Sequence, residues 1–335
     1  MPKDVEIDRR RLLVGAGLSA AAAAATTGAR AADNKAPDLS GKSILITGTS
    51  SGFGRLGAEH YARLGAKVFA TMRNLPRSEA EELKDLAAGD KLDIEVIEID
   101  VTSDEQVANG VAEAEKKAGG KIDVLVNNAG ISVAGPIELQ DMEATRLMFE
   151  TNVFGCHRMA RAALPAMRAQ KSGQIFQVSS QLGRIMIPGY GQYSPTKFAL
   201  EAMSEQMAYE LVPHGVDVTI IQPGGYPTRI WRNANALTNG LFDRADEALL
   251  AAYPEIVEAL RARDGDGGGT TDPLDVPRAI AEIIAMPPGE RPLRRAVHPG
   301  RRPQEAINDV SAKTQLAVFG GGAYGPWVKD VHNAD

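Results

Sequence analysis

From residue 43 onward the chain alternates short β-branched runs with longer stretches of helical character, and this alternation limits the fold more than any other property of the sequence. Residues 43–47 are followed by a helical pattern at 55–64, 67–71 by 78–87, and 94–99 by 105–117. The series continues through 124–127, 174–179 and 217–222, with 275–285 read as the last helix. Strands this apolar, separated by helices, pair in parallel and are covered on both faces. The expected class is therefore α/β, a doubly wound parallel sheet. Ligands on such sheets bind beyond the carboxyl ends of the strands, which directs attention to the turns that follow them. There is no internal repeat. The Gly-rich stretch DGDGGGTTDP at 264–273 ends an insertion, so the expectation is one domain with a lid rather than two domains.

The turn after the first run reads TGTSSGFG, with Gly48, Gly52 and Gly54. Glycine permits a tight strand-to-helix turn and lets backbone N–H groups approach a pyrophosphate at the positive end of the next helix. The spacing G-x-x-x-G-x-G differs from the G-x-G-x-x-G fingerprint of larger dinucleotide-binding dehydrogenases. Alone it is weak evidence, because a tight turn needs only one or two glycines.

Farther on, GYGQYSPTKFALEAM sets Tyr193 and Lys197 four residues apart at the start of an amphipathic run. On a helix these positions share a face, so the phenol and the ammonium can share a pocket. A free tyrosine titrates near pH 10, and an adjacent cation is expected to lower that value. An isolated Y-x-x-x-K is more often a surface lysine beside a half-buried tyrosine, so the weight falls on the rest of the chain.

DVLVNNAG spans 123–130, ETNVFG carries Asn152, FQVSS ends at Ser179 and Ser180, and QPGGYPT follows the sixth run. In this order and at this spacing, T-G-x-x-x-G-x-G, N-N-A-G, an isolated Asn, S-x12-Y-x3-K and P-G-x-x-x-T resemble the short-chain dehydrogenase/reductase family over nearly all of residues 42–297. The resemblance implies a Rossmann-type sheet and an enzyme that interconverts an alcohol and a carbonyl with a nicotinamide cofactor. It assigns Tyr193 as proton donor or acceptor, and Lys197 as the group that poises it and grips the nicotinamide ribose. Ser180 would hydrogen-bond the substrate oxygen, and Asn152 would hold a water linking Lys197 to solvent. Cofactor contacts would come from Gly48, Ser50, Ser51, Gly52, Phe53 and Gly54, from Asn128, Ala129 and Gly130, and from Pro223 and Gly224. Asp100 and Val101 match the family's adenine contacts, and Thr228 its contact to the nicotinamide amide.

NAD enzymes place an acid at the end of the second strand for the ribose 2'-hydroxyl, whereas NADP enzymes lack it and often have an arginine nearby. Here KVFATMRNLPR puts Met72 at the acid position and Arg73 next, so NADP is favoured, with NAD as the second possibility. The segment looks like that of hydroxysteroid and retinol dehydrogenase relatives. Pro195 departs from the family's usual small residue; proline suits a first helical turn, which places Tyr193 close to the helix start.

Ile230, Trp231, Leu237, Leu241 and Phe242 supply apolar surface for a lipophilic substrate, with Trp231, Phe242 and the second phenol, Tyr190, as pocket-wall candidates. The same residues could instead pack the lid onto the sheet. Two other classes compete: a nucleotide-sensing protein on the same fold, whose expected mark is a damaged tetrad, and an epimerase or dehydratase, whose glycine spacing differs.

A net charge of -6, with no basic stripe, argues against nucleic acid as a partner. The lone Cys156 cannot form an internal disulfide, and the five histidines show no metal-ligand spacing, so no metal is expected. The first residues differ in kind. Arg9, Arg10 and Arg11 precede an apolar, Ala-rich run of about 14 residues and then Ala29-Arg30-Ala31. The run is shorter than the roughly 20 residues a spanning helix needs. It resembles a twin-arginine export signal, whose targets cross the membrane folded. The expected organisation is a signal peptide at 1–31, a linker at 32–41, a catalytic domain at 42–300 with a lid at about 228–273, and an extension at 301–335. The expected location is periplasmic, with the cytoplasm as the alternative, without a membrane anchor after cleavage, and the family resemblance implies a dimer or tetramer.

Overall fold

The computed structural model describes residues 36–263 and 267–334; the leader at 1–31 and the first part of the linker lie outside them. Pro37–Asp335 forms one compact unit. Seven strands, β1 (Ser43–Ile46), β2 (Lys67–Met72), β3 (Ile94–Glu98), β4 (Val124–Asn127), β5 (Gly173–Val178), β6 (Val216–Pro223) and β7 (Arg294–Val297), pair in parallel in the order β3-β2-β1-β4-β5-β6-β7. The first half of the chain supplies α1 (Gly52–Arg63), α2 (Ser78–Asp90), α3 (Asp104–Lys117), α4 (Met142–Phe149) and α5 (Gly155–Ala169). After β5 come α6 (Tyr193–Leu211), α7 (Ile230–Asp243), α8 (Glu247–Ala252), α9 (Pro254–Arg261), α10 (Asp275–Ala285), α11 (Gln304–Phe319) and α12 (Gly325–Val331).

The strands are apolar on both faces because both faces are covered. Ile44, Ile46, Val68, Val124, Val126 and Phe176 pack with Ala58 and Tyr61 of α1 and Ile280 and Ile284 of α10. The alternate positions Leu45, Phe69, Leu125, Ile175 and Ile220 pack with Val107 of α3, Met159 and Ala163 of α5 and Ala208 of α6. A one-residue slip of a strand would exchange these two sets, so the pairing register is tightly specified. The insertion between β6 and α10 contributes α7, α8 and α9, whose Leu241, Phe242, Val257 and Leu260 close a third cluster over Val133, Leu139 and Met148.

Two corrections to the sequence reading concern the end of the chain. Residues 275–285 are not the last helix, because α11 and α12 follow, and β7 adds a strand to the sheet. These late elements are tied to α6 through buried polar groups. Arg294 of β7 pairs with Glu201 at 2.8 Å and with Glu205. Gln222 donates to Glu201 Oε1 at 2.9 Å and accepts from Asn308 of α11 at 2.7 Å. Tyr209 donates to Glu205 at 2.6 Å and meets His332 Nε2 at 2.8 Å. No helix among the described residues is long and apolar enough to cross a membrane.

Candidate active site

The turns beyond the carboxyl ends of β1, β2, β4, β5 and β6 surround one cleft of about 600 Å³. It lies where the strand order reverses between β1 and β4, the point at which neighbouring crossovers depart to opposite faces.

The floor is built by two turns clamped together. Thr47 Oγ1 accepts the N–H groups of Asn128 at 3.0 Å and Ala129 at 2.9 Å, and Asn128 Nδ2 donates back to the Thr47 carbonyl at 2.8 Å. The approach is so close that a Cβ on Gly54 would lie 2.3 Å from the Gly48 oxygen and 2.5 Å from Asn128 Nδ2. Gly48 and Gly52 both have positive φ, and a Cβ on Gly52 would point across the cleft to Thr228 at 3.4 Å. Ser51, the N-cap of α1, makes no side-chain cap bond, so it leaves the opening amides of that helix without its hydroxyl as acceptor. A glycine-floored channel ending on uncapped helix amides fits an extended diphosphate. Gly48, Ser50, Ser51, Gly52, Phe53, Ala129, Gly130, Pro223, Gly224 and Thr228 line it, while Gly54 sits behind the lining as the spacer between the turns.

At one end Met72 is buried and Arg73 is exposed on the rim. Arg77 also lines the cleft and is paired with Glu79 at 2.9 Å, which with its other hydrogen bonds holds that carboxyl at about 2. Asp100 and Val101 line the same end, with Asp100 Oδ1 accepting from the Thr102 amide and hydroxyl.

Tyr193 is the first residue of α6, as Pro195 implied. Lys197, one turn on and buried, holds its Nζ 5.7 Å from the centre of the Tyr193 ring and donates to the Val178 carbonyl at 2.9 Å. Burial lowers its pKa, against the opposing influence of Cys156 and Glu201. The phenol does not follow the simple expectation of a lowered value. Burial pushes Tyr193 up to about 12, opposed by a hydrogen bond from Ser180 and reinforced by Tyr190. Desolvation outweighs the Ser180 hydrogen bond, so the phenol stays protonated at rest. Ser180, just beyond β5, accepts the Leu182 N–H at 3.1 Å and directs its own proton toward the Tyr193 oxygen.

Asn152 does not touch the cleft. It sits in a π-helical turn, Glu150–Phe154, joining α4 to α5, a wide turn of the kind often found at functional sites. Its side chain accepts the Ile131 N–H at 2.9 Å and donates to the Ile131 carbonyl at 2.9 Å and to Thr196 Oγ1 at 3.1 Å. Gly130 is the wedge between it and the lysine: a Cβ there would lie 3.3 Å from Asn152 Oδ1 and 3.7 Å from Lys197 Nζ.

Tyr190 and Trp231 line the other end of the cleft, and the Trp231 indole donates to the Tyr226 carbonyl at 2.8 Å. Phe242 is a correction: it does not reach the cleft but is buried in the third core cluster, under the Arg261 guanidinium. Along α7 it lies about 16 Å beyond Trp231, on the same helix face but past the end of the opening. Thr47, Arg77 and Arg263 were absent from the sequence expectation. Thr47 belongs to the quoted turn motif, whereas nothing in the local pattern around Arg263 marks it. Among the described residues no group of three or more His, Cys, Asp or Glu is placed to hold a metal ion.

A family model described as short chain dehydrogenase matches residues 42–238. A 3-ketodihydrosphingosine reductase of Bacteroides thetaiotaomicron is 34% identical over 76% of this chain and 87% of its own length. Retinol dehydrogenase 8 of Bos taurus is 31% identical over 83% of this chain and 88% of its own. The crystal structure of a short chain dehydrogenase/reductase from Burkholderia phymatum in complex with NAD superposes with a TM-score of 0.66 at 25% identity, covering 84% of this chain and 95% of that one.

Proposed function

This chain belongs to the short-chain dehydrogenase family of oxidoreductases, and we propose that it interconverts a lipophilic alcohol and its ketone or aldehyde with NADP(H). The observation that carries this reading is the convergence of Ser180, Tyr193 and Lys197 on the same cleft as the glycine-floored channel. A bound nicotinamide would supply or accept the hydride. Gly48–Phe53 and the turn at 128–130 would hold the diphosphate, and Thr228 the carboxamide. In the reducing direction the Ser180 hydroxyl orients the substrate oxygen, and Tyr193 releases its proton to that oxygen as negative charge grows there. Lys197 stabilises the phenolate that results, and Asn152 fixes the Ile131 segment and Thr196 around the lysine. Intact residues at all four positions favour an enzyme over a nucleotide sensor, and the G-x-x-x-G-x-G turn disfavours the epimerase or dehydratase branch.

NADP is preferred on this reading because Arg73, just after β2, and Arg77, at the N-cap of α2, line the cleft where Met72 replaces the acid that would repel a 2'-phosphate. Residues 228–273 act as a substrate lid. Arg9 and Arg10, followed by a weakly hydrophobic Ala-rich run, support folded export to the periplasm, and the enzyme works as a homo-oligomer. The direct test is turnover of a carbonyl panel by the purified protein with NADPH and with NADH. Oxidation of NADPH by lipophilic ketones or aldehydes supports the proposal; inertness toward every carbonyl and alcohol with both cofactors refutes it.

A further inference from the structure

We propose that Arg263 selects the substrate and that the preferred substrate is a lipophilic oxo or hydroxy compound bearing an acidic group away from the reacting carbon. The proposal rests on the alcohol/carbonyl reading of the cleft. Arg263 follows α9 and lines the cleft together with Tyr193. Its guanidinium carbon lies 5.2 Å from the centre of the Tyr190 ring. Tyr190 is itself fixed, bridged to Gly135 and accepting the Tyr193 N–H on its carbonyl at 3.0 Å. A permanent cation therefore lines the same cleft as the phenol that moves the proton.

The surroundings give that cation a purpose. The cleft is also lined by Ile131, Ala134, Leu182, Ile187, Ile230 and Leu237. Asp100 is the one carboxylate among the described lining residues, and it belongs to the end beside Val101 and already accepts from Thr102. No carboxylate among the described residues pairs with Arg263. The chain is fixed at this point: the Arg263 N–H donates to the Leu260 carbonyl at 3.2 Å, and Asn235 Nδ2 donates to the Arg263 carbonyl at 3.4 Å. A guanidinium fork is matched to a carboxylate or phosphate, and because Arg263 is exposed at the edge of the cleft its attraction is one that salt weakens. A neutral chain gains little from this arrangement, and an amine is repelled by it.

The experiment compares the full chain and its variants on matched pairs: oxo acids of increasing chain length and their methyl esters, with the same nicotinamide cofactor. The unaltered enzyme is expected to show a lower KM for an acid than for its ester, and added salt to shrink the difference. Arg263→Met is expected to raise the KM of the acid relative to that of its ester about tenfold, equivalent to about 1.4 kcal/mol, with the change carried by KM more than by kcat. Arg263→Lys should recover part of the loss. Equal shifts for acid and ester in Arg263→Met, or an ester preference in the unaltered enzyme, overturn the proposal and leave Arg263 as a packing partner of Tyr190. An enzyme inert toward all carbonyls and alcohols overturns the parent reading and this one with it.

Discussion

The ammonium of Lys197 stands 5.7 Å from the centre of the Tyr193 ring, one helical turn along α6. In that position it can stabilise a phenolate that forms during turnover, while burial holds the resting phenol protonated at a pKa of about 12. The reducing direction needs that proton. Tyr193→Phe keeps the ring and removes only the transferable hydrogen, so kcat should drop by about 10²–10⁴-fold. Cofactor affinity, read by protein fluorescence on titration, should be kept; near-normal turnover in the variant would remove Tyr193 from the chemistry.

Arg73 is exposed at the end of β2 and no carboxylate among the described residues pairs with it. Arg73→Ala should raise KM for NADPH by about tenfold, or about 1.4 kcal/mol, with little change for NADH, since only the former has a 2'-phosphate for the guanidinium. Parallel changes with the two cofactors would exclude Arg73 from the phosphate site.

Trp231 and Phe242 share one helix but should respond differently. Phe242 is 3% exposed in the lid core, and Phe242→Ala should destabilise the protein by about 3–5 kcal/mol with substrate preference unchanged. Trp231 lines the cleft, so Trp231→Ala should weaken lipophilic substrates and spare small ketones. Thermal melts and a two-substrate kinetic comparison separate these outcomes; the reverse pattern would contradict the assigned placement.

Glu205 has a pKa below the usual carboxylate range: burial acts to raise it, but Arg294 and the hydrogen bonds from Tyr209 and Arg294 outweigh burial. A depressed folded-state value stabilises the fold above the unfolded value of about 4.3, and this stabilisation is lost as pH falls through the folded value. Melting temperature should therefore decline more steeply below about pH 4 in the unaltered protein than in Glu205→Gln. Arg294→Met, which strands two buried carboxylates, should cost about 3–5 kcal/mol at neutral pH. A neutral-pH melt unchanged by that substitution would dissolve the network as a source of stability.

Replacing Arg9 and Arg10 with Lys should abolish the mature periplasmic form and leave precursor inside the cell, as read by fractionation and N-terminal sequencing. An unaltered protein that stays in the cytoplasm with its leader intact would end the export reading.

Six strands were legible because their apolar runs and the Gly, Asn and Ser turns after them sit close together in sequence. β7 was not: RRAV contains two arginines, and Arg294 is buried only because Glu201 and Glu205 of α6 face it. That pairing is a tertiary fact. The motif residues of the cleft could be read from spacing, yet the direction of the Tyr193 shift could not, since it depends on how completely the fold removes water. Phe242 and Trp231 are both aromatic and lie on the same helical face; only the tertiary packing, which buries one in the third cluster and leaves the other on the cleft, tells them apart.

The Arg294 pairing also sets an order of events during synthesis. Arg294 follows Glu201 by 93 residues and Glu205 by 89. A growing chain thus exposes the helix bearing Tyr193 and Lys197 long before the cation that neutralises its two inward carboxylates has been made. Chains fold from the amino terminus as they emerge, so this helix meets the sheet with two inward carboxylates unneutralised until β7 arrives. The helix that carries the active centre thus owes part of its stability to a strand that contains none of the residues doing chemistry.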